Sequence, residues 1–484
     1  MKARIFILGL LALVAFPALA EGEAVPAGVK FYTDVNARAA DEFVYRDVTL
    51  ANGGELASIL GDEANEIDSL VVRGKVNGSD INTMREASLY GKLSVLNLEY
   101  VEIESGVIPD DAFFNFDEQF DTGTGYVYSV MLRRVILPDG ITEIGDGAFR
   151  YATLLETINF PSSLKRIGIG SFDSCWRLNA EKMVLPEGLE EIDDRCFEYC
   201  EGLTGEIVLP STIRRIGVGA FHQCRMSRMN FPASLEEMGE MAFAGTRLEE
   251  VNFEGPCNLV FDPHGAQFIS CFKLKKMRLP DGVTTLPEDF VSGCEFLENI
   301  ELPKSLEVIE QTALYQCSGL KSLELPEGLK RVEAGGLEGG SSLTQLVLPS
   351  TLEYLGLSSC ANMAKLERIY CAALVPPVCE IKDYPAGFPS TAFGVYPESS
   401  TSFVIPVYVP RGTAELYRQS LGWGYFNNFV ETDDFPTSAI SNVTATPQGG
   451  DDTIYDLMGR KVLHPIKGHV YIRGGKKYIC RDVY

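Results

Sequence analysis

Prolines return along this chain at an almost fixed interval. Pro138, Pro161, Pro186, Pro210, Pro232, Pro280, Pro303, Pro326 and Pro349 mark it, with Pro256 slightly out of phase, and successive steps are 22 to 25 residues. Most follow a leucine. A period of this length means a solenoid, because each unit is too short to enclose a core and buries its apolar face only against its neighbours. One clean unit is "LPKSLEVIEQTALYQCSGLKSLE", residues 302–324.

Within a unit the pattern changes from strand to turn. "LKSLELP" (320–326) alternates, with Leu323 and Leu325 on one side and Ser322 and Glu324 on the other, which predicts a half-buried strand. Pro326 ends it, having no N–H for a ladder. "EGLKRVE" (327–333) brings the chain back with Leu329 and Val332 inward, and "AGGLEGG" or "GAFHQC" makes a compact turn. The expected fold is a repeat solenoid, mostly β with short helical turns and a parallel sheet on one face.

A second regularity is a small residue three places after a recurrent phenylalanine. Cys175, Cys200, Cys224, Cys271, Cys317 and Cys360 stand there, with Cys294 in the same place before its strand and Ala152, Thr246 and Gly340 in other units. A metal site needs thiolates converging from different directions, whereas these arrive once per turn and point the same way. Parallel side chains also give poor disulfide geometry, although stacked neighbours could satisfy the Cα distance. Exchange with Ala, Thr and Gly fits a packing ladder of reduced, buried cysteines better than a ligand or redox role. Cys371 and Cys379, eight apart, either form a local disulfide or stay buried and reduced.

The unit L-x-x-I-x-L-P-x-x-L-x-x-I-G-x-x-A-F-x-x-C-x-x-L, nearly whole in "LPSTIRRIGVGAFHQCRM" (209–226), resembles the BspA-type leucine-rich repeats of Bacteroidetes cell-surface proteins. It departs from the pattern at "FEGPCNLVFDPHGAQF" (253–268) and "GGLEGG" (335–340). The resemblance implies a leucine-rich-repeat array over 132–371. "GELASILGDEANEIDSLVVRGKVNGSDINTMREASLYGKLSVLNLEYVEI" (54–103) resembles the family's α/β N-terminal cap, within a cap region 21–131. Leu56, Ile59 and Leu60 form one helical face there, and "SLVVRG" and "LSVLNLEY" read as strands. Residues 372–431 resemble a C-terminal cap in which Tyr417, Trp423, Phe426 and Phe429 close the open core. A polar, Pro/Gly-containing linker follows at 432–450. The last 451–484 resemble short C-terminal modules of exported Bacteroidetes proteins, some of which are type IX sorting signals.

Lys2 and Arg4, an apolar run and Ala18-Leu19-Ala20 read as a signal peptide over 1–20, so the expected location is the cell surface or the medium, with the periplasm as alternative. The net charge of −25 argues against nucleic acid and anionic lipid as partners, and no later run spans a bilayer.

No catalytic set is evident. His222 lies in a turn, His264 in the irregular unit, and His464 and His469 in the tail. "DTGTG" (121–125) resembles an aspartic-protease motif but occurs once, and the turn glycines lack P-loop spacing. No metal or cofactor is expected. The candidate contact surface is the outward stripe of the strands: Val208, Asn230, Asn252 and Arg278, with Arg228 and Lys276 two residues earlier in their strands. Apolar and β-branched residues beside Asn and Arg suit a protein or glycan ligand, host extracellular matrix among them by the family resemblance. The same stripe also fits a solvated face kept for strand propensity. The resulting expectation is a non-enzymatic binding or adhesion scaffold. The alternatives are a component of polysaccharide handling and a purely structural envelope protein.

Overall fold

The computed structural model describes residues 43–114, 130–255, 258–383, 389–396 and 403–436, and three strands near the C-terminus. The expected signal peptide, the DTGTG stretch and most of the expected linker and tail lie outside the described residues. The chain divides into two compact units, 1–438 and 439–484. In the second, Ile454–Tyr455, Val470–Arg473 and Lys476–Ile479 form an antiparallel sheet. Among the described residues no helix is long and apolar enough to cross a membrane.

The first unit opens with strand β1 (Tyr45–Leu50), helix α1 (Leu56–Leu60), strand β2 (Ser69–Val76), helix α2 (Gly78–Leu89) and strand β3 (Val95–Ile103). All three strands are parallel, and the sheet continues through Arg134–Ile136 and Thr157–Ile158. The cap is thus the first stretch of the solenoid's own sheet. Asp80 organises it. Its carboxylate accepts from Asn77 N (3.0 Å) in a capping box and from Gly54 N and Leu56 N (2.7 and 3.0 Å). Two sequence expectations change here. Ile59 is 48% exposed, because α1 is only one turn long and turns just Leu56 and Leu60 inward. β1 was not anticipated, since an edge strand with half-exposed residues carries little apolar alternation.

Beyond the cap, a first ladder of parallel strands runs in segments: Lys182–Val184 to Arg228–Met229, Glu250–Asn252 to Asn299–Glu301, and Gln345–Leu348 to Phe429–Thr432. One interruption falls on 320–326, where alternation predicted a strand. Leu323 and Leu325 are buried and Ser322 and Glu324 exposed, but no ladder forms there. Alternation reports which side chains are buried, and that condition is met here without inter-strand hydrogen bonds.

The return stretch is itself a second parallel ladder, which the sequence reading had taken as a simple connection. Seven two-residue strands run from Val107–Ile108 to Val260–Phe261, and five from Thr285–Leu286 to Val378–Cys379. Its strands end where coils touch. A Cβ at Gly217 or Gly239 would lie 2.5 or 2.4 Å from the backbone nitrogen of the preceding coil, which accounts for the Ile-Gly element.

The third side is the turn. Its amides also pair coil to coil, as in Phe149 N to Ser171 O (2.7 Å) and Phe172 N to Cys196 O (2.8 Å). Inside, Phe113, Phe149, Phe172, Phe197, Phe221, Phe243 and Phe268 form a stacked spine with centroids 5.1 to 5.4 Å apart. The stacking stops at Phe290, which meets Phe268 at 80°. In "DFVSGC" Phe290 stands one residue early, where Ala148, Ala220, Ala242 and Ala313 stand in other coils, and Val291 fills the spine position. At the far end Tyr417 and Trp423 are fully buried, Phe426 nearly so and Phe429 half-buried.

A two-coil superperiod underlies the single-coil repeat. Gly140, Gly188, Gly282 and Gly328 each donate their N–H to a hydroxyl one coil later, from Ser163, Thr212, Ser305 and Thr351, at 2.9 to 3.0 Å. Each hydroxyl donates in turn to the carbonyl of the residue after that glycine. Ser234 follows Thr212 instead of a glycine, and its buried hydroxyl has no partner. Ser305→Ala is therefore expected to cost about 1 kcal/mol in urea unfolding, whereas Ser234→Ala is expected to be neutral or stabilising. Equal losses from both would contradict the hydroxyl clamp.

Candidate binding surface

The cysteines clarify how the interior is wired. Cys175, Cys200, Cys224, Cys271 and Cys294 are fully buried, and each S–H points at the spine-position carbonyl one coil earlier. The acceptors are Phe149, Phe172, Phe197, Phe243 and Phe268, at 3.0 to 3.2 Å; Cys317 reaches Val291 O at 3.4 Å. Those carbonyls of Phe149, Phe172, Phe197 and Phe243 already accept an amide of their own coil, so the thiol takes the second lone pair. All ten described cysteines are free, Cys371 and Cys379 included. Tyr417 Oη lies 3.2 Å from Cys371 Sγ and donates to Ala373 O. Cys360 does not belong to the ladder as expected. It occupies the spine position, its N–H pairing with Ala392 O as Leu337 N pairs with Ser359 O, and Met363 takes the ladder position. The register of the turn does not shift in "LSSCANM": Cys360 stands eleven residues after Pro349, as Phe149 does after Pro138 and Phe197 after Pro186, so counting from the proline places it in the spine, and only the likeness of Leu357-Ser-Ser-Cys to Phe-x-x-Cys misleads.

Burial pushes the Cys175, Cys200 and Cys224 thiols well up, and the Cys317 thiol to about 12. Thiolate is therefore scarce at these four positions.

The outward residues of the first ladder fall into different roles. Val208 is half-buried beside Val184, which is 58% exposed. Asn252 is exposed and paired in register with Arg278, which approaches Glu301 at 3.6 Å. Arg228 faces Glu206, and Lys276 lies between Glu250 and Asn299. Signs thus alternate along the sheet, and the basic residues do not build a cationic patch. The six candidates also sit in two successive sheets, joined by a single bridge between Phe231 and Phe253.

Asn230 has a structural task. Its Oδ1 accepts from Leu209 N (2.7 Å) and its Nδ2 donates to Leu209 O (3.0 Å). Asn159 does the same at Leu137. Both lie in Asn-Phe-Pro, where other coils have a β-branched or charged residue before Leu-Pro. The side-chain amide stands in for a neighbouring peptide group. "NFP" at 159–161 and 230–232 was the available signal.

The first ladder continues through Arg368–Cys371 to Val407–Pro410 and Phe429–Thr432, beyond the candidate residues named from the sequence. Tyr370 stacks on Tyr408 with centroids 4.5 Å apart, flanked in register by Val347 and Val430. "PVYVP" (406–410) already alternates like a repeat strand.

The irregular unit makes a cleft of about 540 Å³ on the second ladder, lined by Arg215, Glu237, Asn258, Val260 and Asp262 among others. There the ladder breaks after Val260–Phe261. His264, exposed beside it, hydrogen-bonds Asp262 (2.9 Å), which raises the histidine's pKa. Among the described residues no group of three or more His, Cys, Asp or Glu could hold a metal.

A family profile described as the BspA type leucine-rich repeat region (6 copies) matches residues 123–249 and 265–380. The chain belongs to this family, and the interval between the two matches falls on the irregular unit. Among solved structures it is similar to a leucine-rich repeat protein from Bacteroides ovatus (20% identity, 68% of this chain, 88% of that one, TM-score 0.49). It is also similar to a leucine-rich cell surface protein from Faecalibacterium prausnitzii (23%, 54% and 82%, TM-score 0.32). A third is the pneumococcal vaccine antigen PcpA (17%, 76% and 80%, TM-score 0.36). Comparison with curated protein sequences gives no match.

Two outcomes are expected from this geometry. A thiol-specific disulfide reagent at pH 8 should titrate at most Cys257 and Cys480 in the folded protein, and all twelve cysteines after denaturation. Asn230→Ala should lower stability by ~1–2 kcal/mol, by leaving the Leu209 backbone groups without their amide partner. Rapid native labelling of more than two thiols would contradict the first, and an unchanged urea midpoint the second.

Proposed function

We propose that the protein is a non-enzymatic binding scaffold, exported to the cell surface or the medium, that holds a protein or glycan ligand on the outer face of its first ladder. The observation that carries this reading is the sheet face itself. Its inner side chains form the core, while its outer side presents Val184 and Val208, then Asn252 and Arg278, then Val347, Tyr370, Tyr408 and Val430, at fixed coil spacing. Extended sheet faces of repeat proteins serve as binding surfaces, and membership of the BspA-type family supports a scaffold role. Sign alternation on this face favours a partner of mixed polarity over a uniformly anionic one.

The test is a screen against extracellular-matrix proteins and glycans, followed by a variant combining Val208→Ser, Asn252→Ala, Lys276→Ala and Arg278→Ala. Asn230 is left intact because of its contact with Leu209. Binding is expected to fall at least tenfold, about 1.4 kcal/mol, with the melting temperature nearly unchanged. Full binding by the variant would move the site off this face.

A further inference from the structure

Between its two ladders each coil of the array turns a corner just after the Leu-Pro element. Regular coils carry a small or polar pair there, such as Glu187-Gly188, Lys304-Ser305 and Ser350-Thr351. The last coil of the second ladder differs. Its corner, between Arg368–Cys371 and Val378–Cys379, reads Ala-Ala-Leu-Val-Pro-Pro. Leu374, Val375 and Val378 are 65 to 76% exposed. Exposed aliphatic residues are ordinary when scattered singly, but three within five residues form a patch.

The patch is held from behind by the C-terminal cap. Tyr417 Oη donates to Ala373 O (2.7 Å), and Trp423 Nε1 donates to Pro377 O (2.9 Å), both from fully buried side chains. Gly422 lies so close to Cys379 that a Cβ there would stand 2.5 Å from the cysteine Cβ. Leu421, 77% exposed, falls between these ties. The same contacts strip the loop of polarity. Pro376 and Pro377 bring no N–H, and the amides of Ala372 and Val378 are paired with Leu348 O and Glu353 O, at 3.1 and 2.8 Å. Two of the loop's carbonyls are taken by the tyrosine and the indole. A segment that enters hydrocarbon must have its backbone groups satisfied within the protein, and here much of that is done in advance. Neither 369–379 nor 419–430 contains a charged residue, in a chain of net charge −25.

We propose that this corner is a membrane-docking tip, with Leu374, Val375, Val378 and Leu421 entering the interfacial region of a lipid bilayer whose surface carries no net charge. Charge selects the lipid. A zwitterionic surface accepts the uncharged tip, whereas an anionic one repels the strongly acidic chain behind it. Side-chain chemistry selects lipid over protein. Protein contacts are anchored by tyrosine, tryptophan and arginine, while the exposed residues of this tip are aliphatic. A second copy of the chain would need roughly 20–30 residues a side for a stable interface, far more than the tip supplies. The surface lies at the end of the repeat array and does not depend on the sheet-face reading.

The full chain is tested by flotation with large vesicles of phosphatidylcholine, and with vesicles in which half of that lipid is replaced by phosphatidylglycerol. A saturable bound fraction is expected on phosphatidylcholine and a smaller one on the mixed vesicles. Leu374→Ser combined with Val375→Ser should lower binding at least tenfold, ~1.4 kcal/mol, with the melting temperature unchanged, because both side chains are exposed. Val375→Trp should strengthen binding about threefold, since tryptophan favours the bilayer interface. Val260→Ser, equally exposed but on the irregular unit, should leave it within about twofold. Absence of flotation with phosphatidylcholine would overturn the proposal. So would flotation that survives the double change, or a dimer in sedimentation that the double change dissociates, because the tip would then be covered by a second copy.

Discussion

A coil of about 23 residues has no inside of its own, so every apolar side chain it carries must be buried by the coil before or after it. This constraint explains why one position of the turn repeats as phenylalanine with near-parallel rings, and why the next inward position is a small residue with a donor. The phenylalanine carbonyl has one lone pair left after its own turn closes, and a thiol on the next coil can use it. Ala and Gly fill the same space without the bond, and Thr246 lies 3.3 Å from Cys271 Sγ. The cysteine ladder is therefore best understood as one more set of coil-to-coil contacts in an array coupled only between neighbours.

Departures from the repeat are where the molecule becomes specific. The Asn-Phe-Pro coils replace a peptide hydrogen bond with a side-chain amide. The irregular unit opens a cleft on the second ladder, and it is also where the family match is interrupted. Regular positions sustain the stack, and the outward, irregular ones are free to differ.

Much of this was legible from periodicity. Proline spacing implied a solenoid, inward Leu and Ile positions implied its core, and the change of pattern at 253–268 marked the odd unit. Residue pattern was a poor guide wherever hydrogen bonding decided the outcome. Alternation at 320–326 described burial correctly but not a ladder, and the two-residue strands of the return were too short to alternate. The Gly to Ser/Thr clamp spans two coils, so alignment of single units hides it. Cys360 was misplaced because Leu357-Ser-Ser-Cys mimics Phe-x-x-Cys, although its distance of eleven residues from Pro349 is that of the spine. Among the candidate contact residues, Asn230 could not be told from Asn252 by position; only the bonds to Leu209 distinguish them.

The central claim is that stability is passed from coil to coil through the buried spine. Hydrogen exchange of Phe197→Ala measured peptide by peptide tests it, since this change should cost about 3–5 kcal/mol at the middle of the stack. The account predicts that protection falls most in the flanking turns around Phe172 and Phe221 and is retained near Leu346 and Leu355. An equal loss of protection at Leu346 and Leu355, or no loss beyond the substituted coil, would contradict it.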